Sequence, residues 1–356
     1  MNAPASHDRR PVLVTGGAGF IGANLADRLA WDGHDVLVYD SLRRPGVARN
    51  LDWLRQRHPR RISAVIADVR DAATLAAAVG DAQAVFHLAG QVAVTTSLND
   101  PREDFETNLY GTFMVLDAVR HAGTHAPVVF ASTNKVYGRL DDIALGLVDD
   151  AYVPLDPSIH RHGIAEDRPL DFHTPYGCSK GAADQYVLDW ARNYGVPTAV
   201  FRMSCIYGPR QMGNEDQGWV AHFLIRALRG EHVSIYGDGR QVRDVLFVED
   251  AVEAYCAAWR RIGTVAGRAF NLGGGPANAV SLRQVLRSIE EITGRRVQCD
   301  HAEWRAGDQR WYVSDTRRAA QELGLRPALP WRQGIARLAD WLREEHGPAM
   351  PAEAMQ

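Results

Sequence analysis

Val12-Leu13-Val14-Thr15-Gly16-Gly17-Ala18-Gly19-Phe20-Ile21-Gly22 decides the fold of this 356-residue chain. The first four residues read as a short buried strand. Gly16, Gly19 and Gly22 follow it directly and open the helical pattern of residues 25–32. Glycine admits the tight turn and lets backbone N–H groups approach a pyrophosphate, whose charge the helix N-terminus then favours. The glycines alone would say little; a strand before them and a helix after them point to a dinucleotide.

Outward from this motif, apolar runs at 35–39, 62–66, 84–88, 128–131 and 199–202 read as further strands, alternating with helix-periodic stretches such as 102–122. Such alternation implies an α/β fold with a doubly wound parallel sheet of the Rossmann kind, its ligand at the strands' carboxyl ends. Beyond about residue 206, Gly208-Pro209, Gly237-Asp238-Gly239 and Gly273-Gly274-Gly275-Pro276 punctuate the chain between helical patterns at 219–229, 282–293 and 331–345. The expected organisation is a cofactor domain over 8–206, to which 240–275 return, and a smaller interleaved C-terminal substrate domain over 207–239 and 276–345. Residues 141–173, rich in Asp, Pro and His, read as a long loop whose three histidines lack ligand spacing, so no metal is expected.

A net charge of −3 without long charge runs gives no reason to expect nucleic acid or an anionic membrane as partner. Arg9-Arg10 before Val12-Leu13-Val14 mimics a twin-arginine signal, but clustered glycines and then Asn24 and Asp27 break the apolar run, and no stretch is long enough to span a membrane. Cys178, Cys205, Cys256 and Cys299 are widely spaced without C-x-x-C, as expected of reduced thiols in the cytoplasm. Cys178 reads as a packing residue.

The second strand ends at Asp40, roughly 20 residues beyond the glycines, where a carboxylate accepts hydrogen bonds from both hydroxyls of an adenine ribose. It would repel a 2′-phosphate, so NAD is expected rather than NADP. Arg43-Arg44 offer such a phosphate a site in principle, but read more naturally as solvated loop charges or substrate-side contacts. Asp68-Val69 and Leu88-Ala89-Gly90, after the third and fourth strands, fall where adenine and the cofactor backbone should pass.

Tyr176 and Lys180 are four residues apart, hence on one face of a helix that Pro175 helps to start. A free phenol, with a pKa near 10, is a poor base at neutral pH. An adjacent ammonium and an oxidised nicotinamide would favour its phenolate, and the same lysine can donate to the nicotinamide ribose. Phe130-Ala131-Ser132-Thr133-Asn134-Lys135-Val136-Tyr137-Gly138 runs from a strand into a turn at the sheet's carboxyl end, placing the Thr133 hydroxyl near a substrate carbinol, with Ser132 as the alternative.

With these elements in hand, the chain resembles the extended short-chain dehydrogenase/reductases of the nucleotide-sugar epimerase and dehydratase family, from about residue 11 to about residue 320. The resemblance rests on Thr15 to Gly22, Asp40, Asp68, Leu88-Ala89-Gly90, Asn108, Thr133, Val136-Tyr137-Gly138, Tyr176, Lys180, Tyr207-Gly208-Pro209, Arg243-Asp244 and Val248-Glu249-Asp250. It implies that Tyr176 is the catalytic base, working with Thr133 and Lys180. It also implies that Gly16, Gly19, Phe20, Ile21, Gly22, Asp40, Asp68, Val69, Leu88, Ala89, Gly90, Asn108, Tyr176 and Lys180 bind the cofactor, with Asn108 also holding the active-site helix.

Dehydratases of this family carry an acidic pair after the threonine, because eliminating water needs an acid for the leaving hydroxyl and a base for a carbon-bound proton. Here Asn134 and Lys135 stand in those places, which disfavours dehydration, and the lysine also weakens a decarboxylase reading. Hydride removal and return remain, as in an epimerase. Residues 40–46 and 50–54, the run Ser132 to Gly138, residues 175–186 and Asp216-Gln217-Gly218-Trp219-Val220 resemble the branch that inverts C2 of a CDP-hexose such as CDP-paratose. A 4-epimerase of the UDP-glucose type is the alternative. A non-catalytic nucleotide-binding protein is the other rival, though a mere binder does not need Thr133, Tyr176 and Lys180 together.

A nucleoside-diphosphate sugar needs cations, and the resemblance offers Arg210, Arg243 and Arg305, with Asn134 and Lys135 nearer the sugar. It also implies a homodimer or homotetramer paired through helices at 102–122 and 182–194.

Overall fold

The computed structural model describes residues 10–346, so Asp8 and Arg9, the first two residues of the expected cofactor domain, lie outside the described residues. The chain begins β1 (Val12–Thr15), α1 (Phe20–Trp31), β2 (Val36–Asp40), α2 (Val47–Arg57), β3 (Ile62–Ile66), α3 (Ala72–Gly80) and β4 (Ala84–His87). It continues through α4 (Val94–Asn99), α5 (Pro101–Phe105), a π-helical turn (Glu106–Tyr110), α6 (Gly111–Ala122), β5 (Val128–Thr133) and a 3₁₀ turn (Asn134–Tyr137). A hairpin of β6 (Leu145–Val148) and β7 (Ala151–Pro154) follows, then α7 (Pro157–His162), α8 (Thr174–Tyr194), β8 (Thr198–Met203) and β9 (Cys205–Tyr207). The remainder is α9 (Trp219–Arg229), β10 (Val233–Tyr236), β11 (Val242–Phe247), α10 (Val248–Arg260), α11 (Ile262–Val265), β12 (Arg268–Leu272) and β13 (Ala279–Ser281), then α12 (Leu282–Thr293), β14 (Cys299–Ala302), β15 (Trp311–Tyr312), α13 (Arg317–Leu323) and α14 (Trp331–His346).

Seven strands form one sheet in the order β12-β8-β5-β4-β1-β2-β3, every neighbouring pair parallel. Alternation along β1 shows how both faces are covered. Val12 and Val14 enter a core built with Leu25 and Leu29 of α1, Leu51 of α2 and Tyr255 of α10, while Leu13 enters another with Leu75 of α3, Val115 of α6 and Val187 of α8. The chain leaves β1 towards β2 on one side and has β4 on the other, so the turn after β1 lies at the point where strand order reverses and a crevice must open.

A smaller sheet joins β13, β11 and β15, with β9 beside β11, and α9, α12 and α14 close a further core around Phe223, Leu224, Val285, Ile289 and Leu338. The return to the large sheet starts later than the expected residue 240, because β11 pairs within the small sheet, while α10, α11, β12 and, later in the chain, α13 pack into the large sheet's core. β11 straddles the two: Val245 and Phe247 face the small core and Leu246 the large one.

One further expectation is corrected. Residues 141–173 are not all loop: four-residue strands form the β6–β7 hairpin, and Asp156 caps α7 by accepting from the Ser158 and Ile159 N–H groups. Strands this short, with Leu147 and Val148 exposed, leave almost no periodicity to read. The helix expected over 102–122 is present as one continuous helical run, α5 passing through the π turn into α6. Among the described residues no helix is long and apolar enough to cross a membrane.

Candidate active site

A cleft of about 960 Å³ runs along the carboxyl edge of the large sheet and on to the small one. At its first end Gly16 has φ +67°, and a Cβ there would stand 2.6 Å from the Ala89 nitrogen, so only glycine lets β1 and the β4 exit meet this closely. Gly19 caps α1 with extended backbone and no side-chain cap, leaving the first-turn N–H groups directed at the cleft. Asp40 accepts from the Ala18 N–H at 3.0 Å and from the Leu42 N–H at 2.9 Å. Burial raises its pKa and those N–H groups pull it back, leaving a fixed carboxylate with lone pairs still free for a diol. Gly16, Gly19, Phe20, Ile21, Gly22, Asp40, Asp68, Val69, Leu88, Ala89 and Gly90 all line this end, and the cradle fits a dinucleotide.

The Arg70 guanidinium grips Asp68 at 2.8 and 2.7 Å and is the largest cause holding its carboxyl below the usual range. Arg43 pairs with Glu103 at 2.7 Å. Arg44 is not a solvated loop charge: it lines the cleft, burial lowers its pKa, and its guanidinium has no partner among the described residues. Asn108 does not line the cleft. It is wholly buried in the π turn, donates to Asp104 at 3.1 Å and to Ser179 at 3.3 Å, and its Oδ1 lies 2.8 Å from where a Gly90 Cβ would be. It supports the cofactor wall from behind because the wider π turn rotates its side chain towards α8.

In the middle of the cleft stand Thr133, Tyr176 and Lys180. α8 begins at Thr174, and the Tyr176 N–H donates to Ser97 Oγ of α4 at 3.2 Å, fixing the helix start against the cleft wall. Burial pushes the Tyr176 phenol up to about 12, a hydrogen bond with Thr133 draws it down, and Asp104 pushes it further up. Burial brings Lys180 down to about 7 against the pull of Asp104 and Asp184, and its ammonium sits 4.2 Å from the centroid of the Phe130 ring. Burial is thus the first cause of both shifts, the same dry surroundings raising the phenol and lowering the ammonium. Cys178 is exposed rather than packed, since two residues beyond Tyr176 is the opposite face of the helix.

The far end belongs to the small sheet and the loop at 303–310. Asn134 donates to Gln309 at 3.2 Å and Gln309 to the Gly138 carbonyl at 2.7 Å, tying the turn after β5 to that loop. Lys135 donates to the Gly307 carbonyl at 3.2 Å and lies 3.8 Å from Asp308. Its pKa falls to about 8, first through burial, with Asp308 opposing and Arg243 adding to the fall. Arg243 meets Asp308 at 2.5 Å, and Arg305 lies over the Tyr236 ring at 3.8 Å and 3.4 Å from Asp216, its Nε buried without a partner among the described residues. Arg210 is elsewhere. It is stacked between Trp53 of α2 (4.1 Å) and Trp341 of α14 (5.4 Å), 3.3 Å from Glu345, so cation–π contacts draw it out of the cleft. Gln211, Gln217 and Gln241, none of which the sequence singled out as a site residue, line the cleft with buried amide oxygens that have no partner among the described residues.

A glycine turn at the reversal point of a parallel sheet, facing a buried Tyr–Lys pair across one cleft, defines a nicotinamide-dependent enzyme of the short-chain dehydrogenase/reductase class. Comparison with known proteins sharpens that class. The chain is 38% identical to CDP-paratose 2-epimerase of Salmonella typhi over 93% of its own length and 98% of that protein's. Its structure superposes on UDP-glucose 4-epimerase of Thermotoga maritima with TM-score 0.80 at 30% identity, covering 94% and 99% of the two chains. A double mutant of the dTDP-glucose 4,6-dehydratase DesIV from Streptomyces venezuelae, solved with NAD, gives TM-score 0.81 at 29% identity over 95% and 98%. Residues 12–273 match the NAD dependent epimerase/dehydratase family, and the chain belongs to that family. NAD is its cofactor.

Proposed function

We propose that this enzyme is an NAD-retaining, cytoplasmic nucleotide-sugar epimerase that inverts C2 of a CDP-hexose, with CDP-paratose the best candidate. The observation that carries this is the pair after Thr133. Asn134 is spent on Gln309, and Lys135 on Gly307 and Asp308, so neither offers the acid and base that elimination of water requires. The 38% identity to a 2-epimerase supports the C2 position and the cytidine nucleotide.

In this reading Tyr176, as the phenolate that the Lys180 ammonium stabilises, takes the proton of the C2 hydroxyl and becomes the neutral phenol, while Thr133 holds that oxygen in line. When bound, NAD supplies the hydride acceptor and donor. The ketone then presents its other face, and Tyr176 returns the proton. Gly16 to Gly22, Asp40, Asp68, Val69 and Leu88 to Gly90 hold the dinucleotide, while Arg243 and Arg305 hold the diphosphate of the substrate. Residues up to 206, with α10, α11, β12 and α13, make the cofactor half, and 207–239 with the rest of 276–345 the substrate half. Phe105, Tyr110, Tyr186 and Tyr194 leave an exposed aromatic face on the helices that would pair two subunits.

The test is a panel of CDP-, UDP-, dTDP- and GDP-sugars run in deuterated water and scored for the inverted centre. Inversion at C2 of a CDP-sugar without deuterium on the inverted carbon is expected, because the hydride stays internal. Inversion at C4 of a UDP-sugar would move the assignment to the 4-epimerases, and formation of a dehydrated product would remove it from the epimerases altogether.

A further inference from the structure

Behind the Tyr176–Lys180 pair lies a carboxylate to which no motif points. Asp104 of α5 is wholly buried. Ser179 Oγ donates to its Oδ2 at 2.5 Å and Asn108 Nδ2 to its Oδ1 at 3.1 Å. Ser179 is the residue before Lys180 and lies one turn beyond Tyr176, with its Oγ 3.2 Å from the Tyr176 carbonyl oxygen. Asp104 thus touches the face of α8 that carries both reacting side chains.

The charges around Lys180 single out this carboxylate. Asp184, on the same helix, is neutralised by the Arg202 guanidinium at 3.0 Å on each oxygen and accepts from Ser132 at 2.8 Å. His87 of β4 lies between Thr15 at 2.7 Å and Thr112 at 3.0 Å, and burial keeps it uncharged, its pKa down to about 3. Phe130 of β5 offers a ring face. Asp104 has no ion pair among the described residues; its hydrogen-bond donors are neutral, and it feels the Lys180 charge. Burial pushes the Asp104 carboxyl up, and the Ser179 hydrogen bond, the Lys180 charge and the Asn108 hydrogen bond draw it back towards the charged form.

We propose that Asp104 is a positioning residue for the reaction, holding α8 through Ser179 and supplying the buried counter-charge that keeps Lys180 an ammonium beside Tyr176. The inference rests on the assignment of Tyr176 and Lys180 as the reacting pair. The pair in its fully protonated form carries one more positive charge than in its working form, so the Asp104 carboxylate stabilises the protonated form more. Removing that charge therefore moves the acid limb of the rate profile to lower pH.

Asp104→Asn keeps the shape and, through its amide oxygen, the acceptor for Ser179, but removes the charge and the acceptor for Asn108. The pH profile of kcat, measured on the NAD-loaded enzyme with the epimerised sugar nucleotide, should show the acid limb about one unit lower together with a reduced plateau. Ser179→Ala keeps the charge and cuts the link, and should lower the plateau while leaving the limb in place. A limb unmoved in Asp104→Asn, with only the plateau lowered, would make Asp104 a packing residue and overturn the proposal. If Asp104→Asn does not fold, the reciprocal measurement decides: the Asp104 carboxyl, followed by ¹³C NMR, should titrate at higher pH in Lys180→Met than in the parent, and an unchanged midpoint overturns the proposal equally. Tyr176→Phe separates the two levels, since an active Tyr176→Phe sinks the assignment of the pair itself, whereas an inactive one with an unmoved Asp104→Asn limb sinks only the role of Asp104.

Discussion

At Tyr176 one hydroxyl carries the proposed proton transfer, so Tyr176→Phe is expected to lower kcat by about 10²- to 10⁴-fold while NAD remains bound, as the absorbance of the purified protein will show. Lys180 gives a stability prediction with a definite sign. Burial depresses its pKa to about 7 from 10.5, so between those values the unfolded chain holds the proton more tightly than the folded one. The folded state is therefore penalised most below about pH 7 and is relieved as pH rises towards 10. Lys180→Met should raise the melting temperature by a few degrees at pH 7 and by much less at pH 10; equal gains at both would mean that the ammonium is solvated in the native state. Tyr176 and Lys180 were legible in the sequence because their spacing sets them on one helical face. Asp104 was not, since nothing in Pro101-Arg102-Glu103-Asp104-Phe105 distinguishes the buried carboxylate from its exposed neighbours until α8 is packed against it.

Elements that answer to local chemistry could be read in advance, and those that answer to tertiary contacts could not. α9 and α12 fall on their expected residues because apolar periodicity defines them, and Ser281 with Gln284 closes a capping box at the start of α12. The π turn escaped notice because it is fixed from outside by the hydrogen bond from Asn108 to Ser179 of another helix. Gly16 shows how a single turn governs a whole element. Its positive φ and the 2.6 Å approach to Ala89 leave no room for a methyl group, so Gly16→Ala should abolish NAD retention while the far-UV dichroism of the sheet and helices stays close to that of the parent. Retained NAD in that variant would mean that β1 and β4 can part without opening the cradle.

For the whole molecule, the decisive feature is that the cleft is shared by two halves whose seam lies partly at Arg210. The sequence placed Arg210 at a phosphate because it follows Tyr207-Gly208-Pro209. Its true direction depends on two tryptophans more than a hundred residues away on either side, which no local pattern reports. Arg210→Ala should therefore lower the melting temperature, through lost stacking between α2 and α14, and leave the KM for the sugar nucleotide within about twofold of the parent. A large rise in KM at unchanged melting temperature would return this arginine to the substrate. The late arrival of β12 has a further consequence for biosynthesis. The outermost strand beside β8 is translated only after α9 and the small sheet have been entered, so a nascent chain halted near residue 240 presents a bare, apolar β8 edge to the ribosome's surroundings. No single cut of the polypeptide can release the nucleotide-holding half intact, which makes this a protein to circularly permute rather than to truncate.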